Sequence, residues 1–308
     1  MRSRDETTLS GPRTTHLLFQ QYEERLVRRG ATDSTLKNFR NTAERFGESG
    51  LDPLTATDVD IEEWLAGLRV PRTKGDGVEI TGKGGRRKGC LSPRTIRLHY
   101  ENLSAAYNYA VHRRLLPASP VEAVRLPREP DREPRILTNA ELRHILGNCM
   151  TDEQELLVTT LAYTGMRRGE VRNLRWEDIA PTTITVREGK GGKLRHVPLH
   201  PALGELIVKQ EPRPGYVFAG RNGEARSESS FFYILEKVRG DVLCTMHTFR
   251  RTVATQLAEH EVPNHVIDKI MGWAPRTVGS RYYIRTADLR MQEAILRLYQ
   301  EDPISVRT

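Results

Sequence analysis

Cysteine is scarce in this sequence: three occur in 308 residues, at positions 90, 149 and 244. They lie far apart and lack the spacing of metal ligands. A sparse, odd-numbered set argues against both a disulfide framework and a zinc site. We therefore expect a protein of the reducing cytoplasm.

Long apolar stretches are also missing. No run approaches the roughly 20 residues of a membrane helix, and the opening MRSRDETTLSGPR lacks the apolar region of a signal peptide. Hydrophobic residues make up 37% of the chain and aromatic residues 6%. This composition excludes an integral membrane protein and predicts a soluble chain, long enough for two domains of ordinary size.

Positive charge is what the sequence has in excess. Lys and Arg number 48 against 40 Asp and Glu, a net charge of +8 at pH 7. The excess is compatible with a polyanionic partner but does not establish one. Residues 70–91 form a glycine-rich, basic segment. This segment is either a solvated loop or a basic arm that becomes ordered when it binds phosphates, and we favour the arm.

The first third of the chain predicts helices. The segments STLKNFRNTAERF, DVDIEEWLAGL and SPRTIRLHYENLSAAYNYAVHRR carry apolar residues at helical spacing. Ser34 and Asp58 are candidate N-caps for the first two, and Ser92 before Pro93 begins the third. These segments fit a small helical domain over residues 14–118.

A proline-rich stretch at 119–134 predicts a linker before a second domain, 135–308. That domain opens with a capping box of Thr138 and Glu141. TITV, GKGGK and RHVPL predict a β-hairpin, so the expected fold class is mainly α with a small β-sheet. The tail predicts an amphipathic helix with an apolar stripe of Met291, Ala294, Ile295, Leu298 and Tyr299.

Several short motifs in the second domain carry residues suited to phosphate chemistry, although each alone is ordinary. Arg167 follows shortly after a Thr-Gly pair that would end a helix, and Glu170 lies three residues further on. An Arg and a Glu at this spacing usually form an ion pair on the surface of a helix. His247 and Arg250 share the start of a later helix. The remaining candidates are Lys190 at the hairpin tip, Trp273 after a glycine, and the adjacent Tyr282 and Tyr283.

The order and spacing of these motifs resemble the tyrosine recombinase (phage integrase) family, with a Cre-like or Xer-like catalytic domain. The specific motifs fall within 135–300, and residues 14–115 look like the family's core-site-binding domain. The resemblance implies a two-domain clamp on double-stranded DNA that cuts and rejoins it through a 3′-phosphotyrosine. It implies four protomers acting on two sites, and no metal or other cofactor.

The resemblance also implies roles for individual residues. Arg167 and Arg250 correspond to the two arginines that meet the negative charge on the phosphorus-bound oxygens, a task suited to planar guanidiniums. Lys190 corresponds to the general acid for the leaving 5′ oxygen. His247 is placed to accept the proton of a tyrosine, whose unperturbed pKa near 10 disfavours the phenolate.

The accessory positions and the nucleophile follow from the same resemblance. Glu170 matches a carboxylate that orients His247 or Arg167, and Trp273 stands where many relatives have His. Indole donates only, so Trp273 serves as a hydrogen-bond donor and a packing group. An interval of nine residues from Trp273 favours Tyr282 as the nucleophile, whereas the following YIR favours Tyr283. We choose Tyr282.

The sequence departs from the family's pattern at two places, and several alternative functions stay open. Relatives often have His where this chain has Arg251, and TVG matches the usual residues before the tyrosine loosely. We expect an integrase of a phage or mobile element, because the basic insertion at 70–91 and the loose match around the tyrosine depart from the compact Xer pattern. The alternatives are a Xer-like resolvase, a type IB topoisomerase-like enzyme and an inactive DNA-binding regulator. For the C-terminal helix, we favour exchange between protomers over packing on its own domain.

Overall fold

The computed structural model describes residues 16–69, 91–126, 133–187, 194–210, 214–273 and 287–299. The chain divides into two compact units, Met1–Asp131 and Arg132–Thr308. Nearly all of the basic segment 70–91 lies outside the described residues, as do Lys190, Tyr282 and Tyr283.

The described part of the first unit contains four helices. They are α1 (Leu17–Arg28), α2 (Asp33–Gly47), α3 (Asp58–Gly67) and α4 (Pro93–His112). Their apolar faces meet in an aromatic core in which the rings of Phe19 and Phe46 pack edge to face at 5.7 Å. Val121 and Val124, from the predicted linker, are buried in this core. The predicted domain boundaries stay a prediction.

Two of the predicted helix caps are wrong by one or two residues. The N-cap of α2 is Thr32 rather than Ser34, and its side chain accepts from the backbone N–H of Thr35. The N-cap of α3 is Thr57 rather than Asp58. Each earlier cap places the following aspartate in the first helical turn, where the helix dipole favours negative charge.

The second unit contains the remaining described helices and the hairpin. They are α5 (Asn139–Gly147), α6 (Asp152–Thr164), α7 (Arg168–Arg172), β1 (Thr183–Val186), β2 (Arg195–Pro198), α8 (Pro201–Lys209), α9 (Glu228–Arg239), α10 (Met246–Glu259), α11 (Asn264–Met271) and α12 (Ala287–Leu296). A single 3₁₀ turn, Trp176–Asp178, precedes β1.

Helix α6 forms the centre of the second unit. Every residue from Glu155 to Thr164 is buried, and α5, α8, α9 and α10 pack around it. A helix buried on all sides must lie inside a layer of others. It ends at Gly165, whose φ of +56° is left-handed. A Cβ at this position would lie only 3.0 Å from Met271 Cε. The chain turns there towards α7.

The predicted β-hairpin and capping box are confirmed. Strands β1 and β2 pair antiparallel, with Ile184 opposite Val197, both fully buried. Glu141 donates its backbone N–H to the Thr138 hydroxyl, and the Glu141 carboxylate accepts from the backbone N–H of Thr138. The fold class, mainly helical with a small antiparallel sheet, is confirmed as well.

Helix α12 packs on its own chain, against α11 and β2. The residues of the predicted apolar stripe are all buried, with Met291, Ala294 and Ile295 on α12. Leu298 and Tyr299 lie in the turn that follows, so the helix ends before the last two residues of the predicted stripe. The Tyr299 hydroxyl donates to the carbonyl of Ala162 at 3.2 Å, which ties the end of this segment to α6. Across the described ranges, no helix combines the length and apolarity needed to span a membrane.

Candidate active site

Arg167 and Glu170 meet at the start of α7. Arg167 is the N-cap residue, and its backbone N–H donates to Glu170 Oε2 at 2.7 Å. Its guanidinium Nη1 donates to Glu170 Oε1 at 2.8 Å. The Glu170 side chain is only 3% exposed, so the pair is not the surface ion pair that its spacing suggests. The structure gives Glu170 a buried, orienting position beside Arg167.

Arg195 is a third arginine of the site, and none of the sequence motifs identified it. Its Nη1 and Nη2 donate to Glu170 Oε1 and Oε2 at 2.6 and 2.8 Å, a two-pronged pair. A signal was present in β2, where Arg195 and Val197 occupy the inward positions and His196 points outward. A charged residue at an inward strand position requires a buried partner, which here is Glu170.

Glu170 is held as a carboxylate. Burial alone would raise its pKa, but the hydrogen bonds and charge of Arg195, together with the hydrogen bonds from Arg167, outweigh burial and lower the pKa to about 2. Glu170 is therefore ionised across the physiological pH range.

Arg250 approaches the same place from α10. Its side chain is buried, and its Nη1 donates to the carbonyl of Gly165 at 2.8 Å. Its Nη2 donates to the carbonyl of Met271. Burial and the charges of Arg167 and Arg195 lower its pKa to about 10, against an opposing effect of Glu170. The guanidinium remains charged at neutral pH, and its position is fixed by two backbone groups.

The C-terminal end of α11 brings the three arginines together. Three successive carbonyls accept from three different guanidiniums: Ile270 from Arg195 at 3.2 Å, Met271 from Arg250, and Gly272 from Arg167 at 3.0 Å. The free carbonyls of a helix end carry partial negative charge, which favours cations there. One helix end thus positions all three arginines.

Gly272 makes this close approach possible. Its φ is +61°, and a Cβ built at this position would lie 2.8 Å from Arg195 Cδ and 3.0 Å from Arg195 Nε. A side chain here would meet both backbone strain and a steric clash. Glycine therefore permits Arg195 to pass directly over the end of α11.

Trp273 follows the end of α11, and His247 lies on α10, the helix that carries Arg250. Trp273 is 39% exposed, and the guanidinium carbon of Arg250 lies 5.7 Å from its ring centre, within the range of a cation–π contact. His247 is exposed on the first turn of α10, three residues before Arg250. Lys190 belongs to the segment between β1 and β2, and Tyr282 to the segment between α11 and α12, both outside the described residues.

The cluster is suited to holding an anion. Arg167 and Arg195 pair with the Glu170 carboxylate, and the charge of Arg250 also acts on this group, so the described charges leave a net positive charge. Guanidiniums fixed by the backbone match the paired oxygens of a phosphate. Within the described ranges, no group of His, Cys, Asp and Glu side chains is arranged to hold a metal ion.

A sequence profile of the phage integrase family matches residues 135–290, slightly more than half of the chain. The chain belongs to this family. Its members are tyrosine recombinases, enzymes that break and rejoin DNA, so the predicted family and enzyme class are confirmed.

Relatives of the phage integrase family match along most of this chain. A tyrosine recombinase of Thermosipho africanus is 29% identical over 285 residues, covering 87% of this chain and 94% of the relative. The tyrosine recombinase XerA of Pyrococcus furiosus is 26% identical over 293 residues, covering 91% and 93%.

Among solved structures, a lambda integrase tetramer bound to a Holliday junction superposes with a TM-score of 0.65 at 22% identity. That match covers 85% of this chain and 77% of the integrase chain. At this level of identity, the likeness shows a shared fold.

Proposed function

We propose that this chain is a site-specific recombinase that cuts DNA with Tyr282 and rejoins it to a new partner strand. The phenol oxygen forms a bond to phosphorus as the bond from phosphorus to the 5′ oxygen breaks. The products are a 3′-phosphotyrosine and a free 5′-hydroxyl. A 5′-hydroxyl from the partner duplex then attacks the phosphotyrosine and releases the phenol. The ester conserves the bond energy, so no cofactor is required.

The observation that carries this proposal is the convergence of Arg167 and Arg250 at the end of α11. Their guanidiniums donate to the neighbouring carbonyls of Gly272 and Met271. Tyr282 follows Trp273 by nine residues in the sequence. In the proposed reaction, a phosphate seated beside these arginines is the group that Tyr282 attacks. Fixed cations of this kind stabilise charge that develops on phosphate oxygens.

The remaining groups complete the proposed chemistry. Lys190 protonates the leaving 5′ oxygen, and His247 accepts the tyrosine proton. Trp273 donates its indole N–H to a phosphate oxygen and packs over Arg250. Glu170 takes no part in proton transfer, because its low pKa keeps it ionised.

The two units would divide the work on DNA. Residues 14–118 bind the core site as a helical domain, 119–134 form the linker, and 135–308 carry catalysis. The basic segment 70–91 orders against DNA phosphates. Four protomers pair two sites and exchange the C-terminal helix. The lambda integrase tetramer bound to a Holliday junction supports the number of protomers. The protein would act in the cytoplasm, on cellular or infecting DNA.

Covalent capture tests this proposal and finds the target sequence in the same step. The full chain is incubated with sheared genomic DNA of its source, the mixture is denatured, and fragments linked to protein are sequenced. The captured core site is then made as a duplex with a bridging 5′-phosphorothiolate at the cleavage position. Because the released thiol does not attack the phosphotyrosine efficiently, the adduct accumulates and is counted on a denaturing gel.

Three variants decide the assignment of the nucleophile. We expect wild type and Tyr283→Phe to form the adduct and Tyr282→Phe to form none. An adduct in Tyr282→Phe but not in Tyr283→Phe would move the nucleophile by one residue. An adduct in both single variants and in the double variant would overturn the phosphotyrosine mechanism.

Integration or excision of a phage or mobile element is the biological role we favour. Resolution of chromosome dimers is the second candidate, because the XerA relative aligns along nearly its full length. The position of the captured site separates the two. A site at the end of a mobile element, recombining with a different partner sequence, supports an integrase. A single chromosomal site that recombines with an identical copy supports a resolvase.

A further inference from the structure

Arg195 is a buried arginine of the site to which the proposed reaction assigns no role. Its side chain is 8% exposed, and it makes three hydrogen bonds, two to Glu170 and one to the carbonyl of Ile270. The same two places also hold Arg167. The Arg167 guanidinium donates to the Glu170 carboxylate and to the carbonyl of Gly272 at the end of α11.

We propose that Arg195 is a positioning residue that sets the guanidinium of Arg167 for phosphate binding, acting through Glu170 and the end of α11. This inference rests on the proposed function, because the reaction it serves is the attack on a DNA phosphate. It assigns Arg195 no direct contact with the substrate.

Stability alone is a poor explanation for this residue. Replacing a buried ion pair by apolar groups of similar size is often neutral or stabilising, because the desolvation of two charges is costly. Arg195 occupies an inward position of β2, as the apolar Val197 does two residues later, and β2 packs against α11 and α12. A charged side chain in such a place points to a requirement other than packing.

The geometry indicates what that requirement is. The carboxylate of Glu170 has two oxygens, and Arg195 and Arg167 contact both through side-chain or backbone donors. Arg195 holds the carboxylate in one plane, which in turn fixes Nη1 of Arg167. The described contacts use two of the five guanidinium N–H groups of Arg167. A rigid carboxylate thus aims the others.

Charge balance supports the same conclusion. Attack of a phenolate on a phosphodiester builds a second negative charge at phosphorus. Arg167, Arg195 and Arg250 against Glu170 give a local charge of +2, which falls to +1 without Arg195. An orienting carboxylate next to a phosphate site would otherwise repel the substrate. Arg195 therefore permits Glu170 to position Arg167 without reducing the attraction for DNA.

Arg195 could instead act on Lys190, through the strand that both of them adjoin. Arg195 begins β2, the strand that follows the segment bearing Lys190. On this explanation, a defect in an Arg195 variant arises from a displaced general acid rather than a displaced Arg167. The leaving group distinguishes these routes. A 5′-thiolate leaves without protonation. A bridging phosphorothiolate therefore restores the cleavage rate of a variant that lacks the general acid, but not that of a variant that lacks stabilisation of the phosphate oxygens.

The experiment measures single-turnover adduct formation with the captured core-site duplex, at saturating enzyme, alongside the duplex Kd. The variants are Arg195→Met, Arg195→Lys, Arg167→Met, the Arg195→Met and Arg167→Met double variant, and Lys190→Ala. Arg187→Met is the matched control, since Arg187 follows β1, is 60% exposed and pairs with Asp178 rather than Glu170. Thermal unfolding of each variant identifies those that fail to fold.

We expect Arg195→Met to lower the first-order rate about 30-fold with less than a threefold change in Kd, and Arg187→Met to leave the rate within about twofold. Arg195→Lys, which supplies one charge without the paired geometry, falls between wild type and Arg195→Met. The double variant is no slower than Arg167→Met alone, because both changes remove one function. The phosphorothiolate restores Lys190→Ala but not Arg195→Met.

Specific outcomes overturn the inference. They are a wild-type rate in Arg195→Met, effects of Arg195 and Arg167 variants that multiply, or rescue of Arg195→Met by the phosphorothiolate. If Arg195→Met does not fold, Arg195→Lys carries the same tests. A wild-type chain that forms no adduct with any DNA would instead refute the proposed function itself, which separates the two failures.

Discussion

Glu170 and Arg195 form a buried, two-pronged ion pair, with N–O distances of 2.6 and 2.8 Å, between the start of α7 and the start of β2. The two residues are 25 positions apart in the chain, and the pair joins elements that carry separate motifs of the site. The pair therefore affects both folding and the geometry of the arginines.

Glu170→Gln tests the contribution of this pair to stability. Removing one partner of a buried pair leaves uncompensated charge, so we expect a loss of about 3–5 kcal/mol in the free energy of unfolding at pH 7. Glu228→Gln is the control, because Glu228 pairs with Arg168 on the surface, where both side chains are 55% exposed. That change should cost less than about 1 kcal/mol. Urea unfolding measures both.

The acid dependence of Glu170→Gln has a definite sign. The pKa of Glu170 falls from 4.5 when unfolded to about 2 when folded, so its stabilising contribution is complete above pH 4.5 and is lost as the pH falls towards 2. The stability difference between wild type and Glu170→Gln should be constant from about pH 7 to 5.5 and narrow below 4.5. A difference that stays constant down to about pH 3 would contradict the depressed pKa.

Gly272→Ala tests the close approach of Arg195 to the end of α11. Alanine would meet both the positive φ and the contact of 2.8 Å to Arg195 Cδ. Gly223 is the matched control in the same unit, since its φ is +78° and a Cβ placed there has no neighbour within 4 Å. The control should lose about 1–2 kcal/mol from φ alone. We expect Gly272→Ala to lose at least about 1 kcal/mol more, as overpacking costs about 1–3 kcal/mol.

Adduct formation by Gly272→Ala gives a second measurement. The carbonyl of Gly272 accepts from Arg167, so displacement of Arg195 and the helix end should also slow cleavage by a folded Gly272→Ala protein. Equal stability losses and equal cleavage rates in the Gly272 and Gly223 variants would show that the contact is relaxed in solution.

Trp273 variants separate ring packing from hydrogen bonding. Trp273→Ala removes the ring over Arg250 and should slow adduct formation about tenfold, the rate equivalent of a cation–π contact worth about 1.4 kcal/mol. Trp273→Phe keeps a ring face but lacks the indole N–H. If the proposed donation to a phosphate oxygen matters, Trp273→Phe will also be slow and Trp273→His, which keeps a donor, will be faster than Trp273→Phe. Equal rates in Trp273→Phe and wild type would remove the N–H from the mechanism.

Local signals in the sequence predicted the elements of the site well. The Thr-Gly break before Arg167 is a helix end with a left-handed glycine, and TITV with RHVPL is the hairpin. These features depend on residues close in the chain. Helix caps were harder to place, because Ser34 and Asp58 compete with neighbouring threonines that serve equally well.

Contacts between distant segments were beyond local patterns. The role of Glu170 was predicted only as that of an orienting group, since its partner Arg195 lies 25 residues away. The three carbonyls at the end of α11 carry no side-chain signature at all, because any residue presents a carbonyl. Their function as arginine acceptors depends on how α7, α10 and β2 pack around α11.

The C-terminal helix offers a final test, because its packing bears on the proposed exchange between protomers. Leu298 is 1% exposed against its own domain, whereas Leu289 on the same segment is 74% exposed. In the protein free of DNA, Leu298→Ala should therefore cost about 2–5 kcal/mol. Leu289→Ala should change stability by no more than about 0.5 kcal/mol.

If the helix is released and exchanged on paired DNA, Leu298→Ala should also weaken the tetramer, because the same apolar stripe would then pack on a neighbouring protomer. Sedimentation with the captured duplex measures this effect. Equal, small effects of both variants in the free protein would mean that the helix does not dock on its own chain in solution.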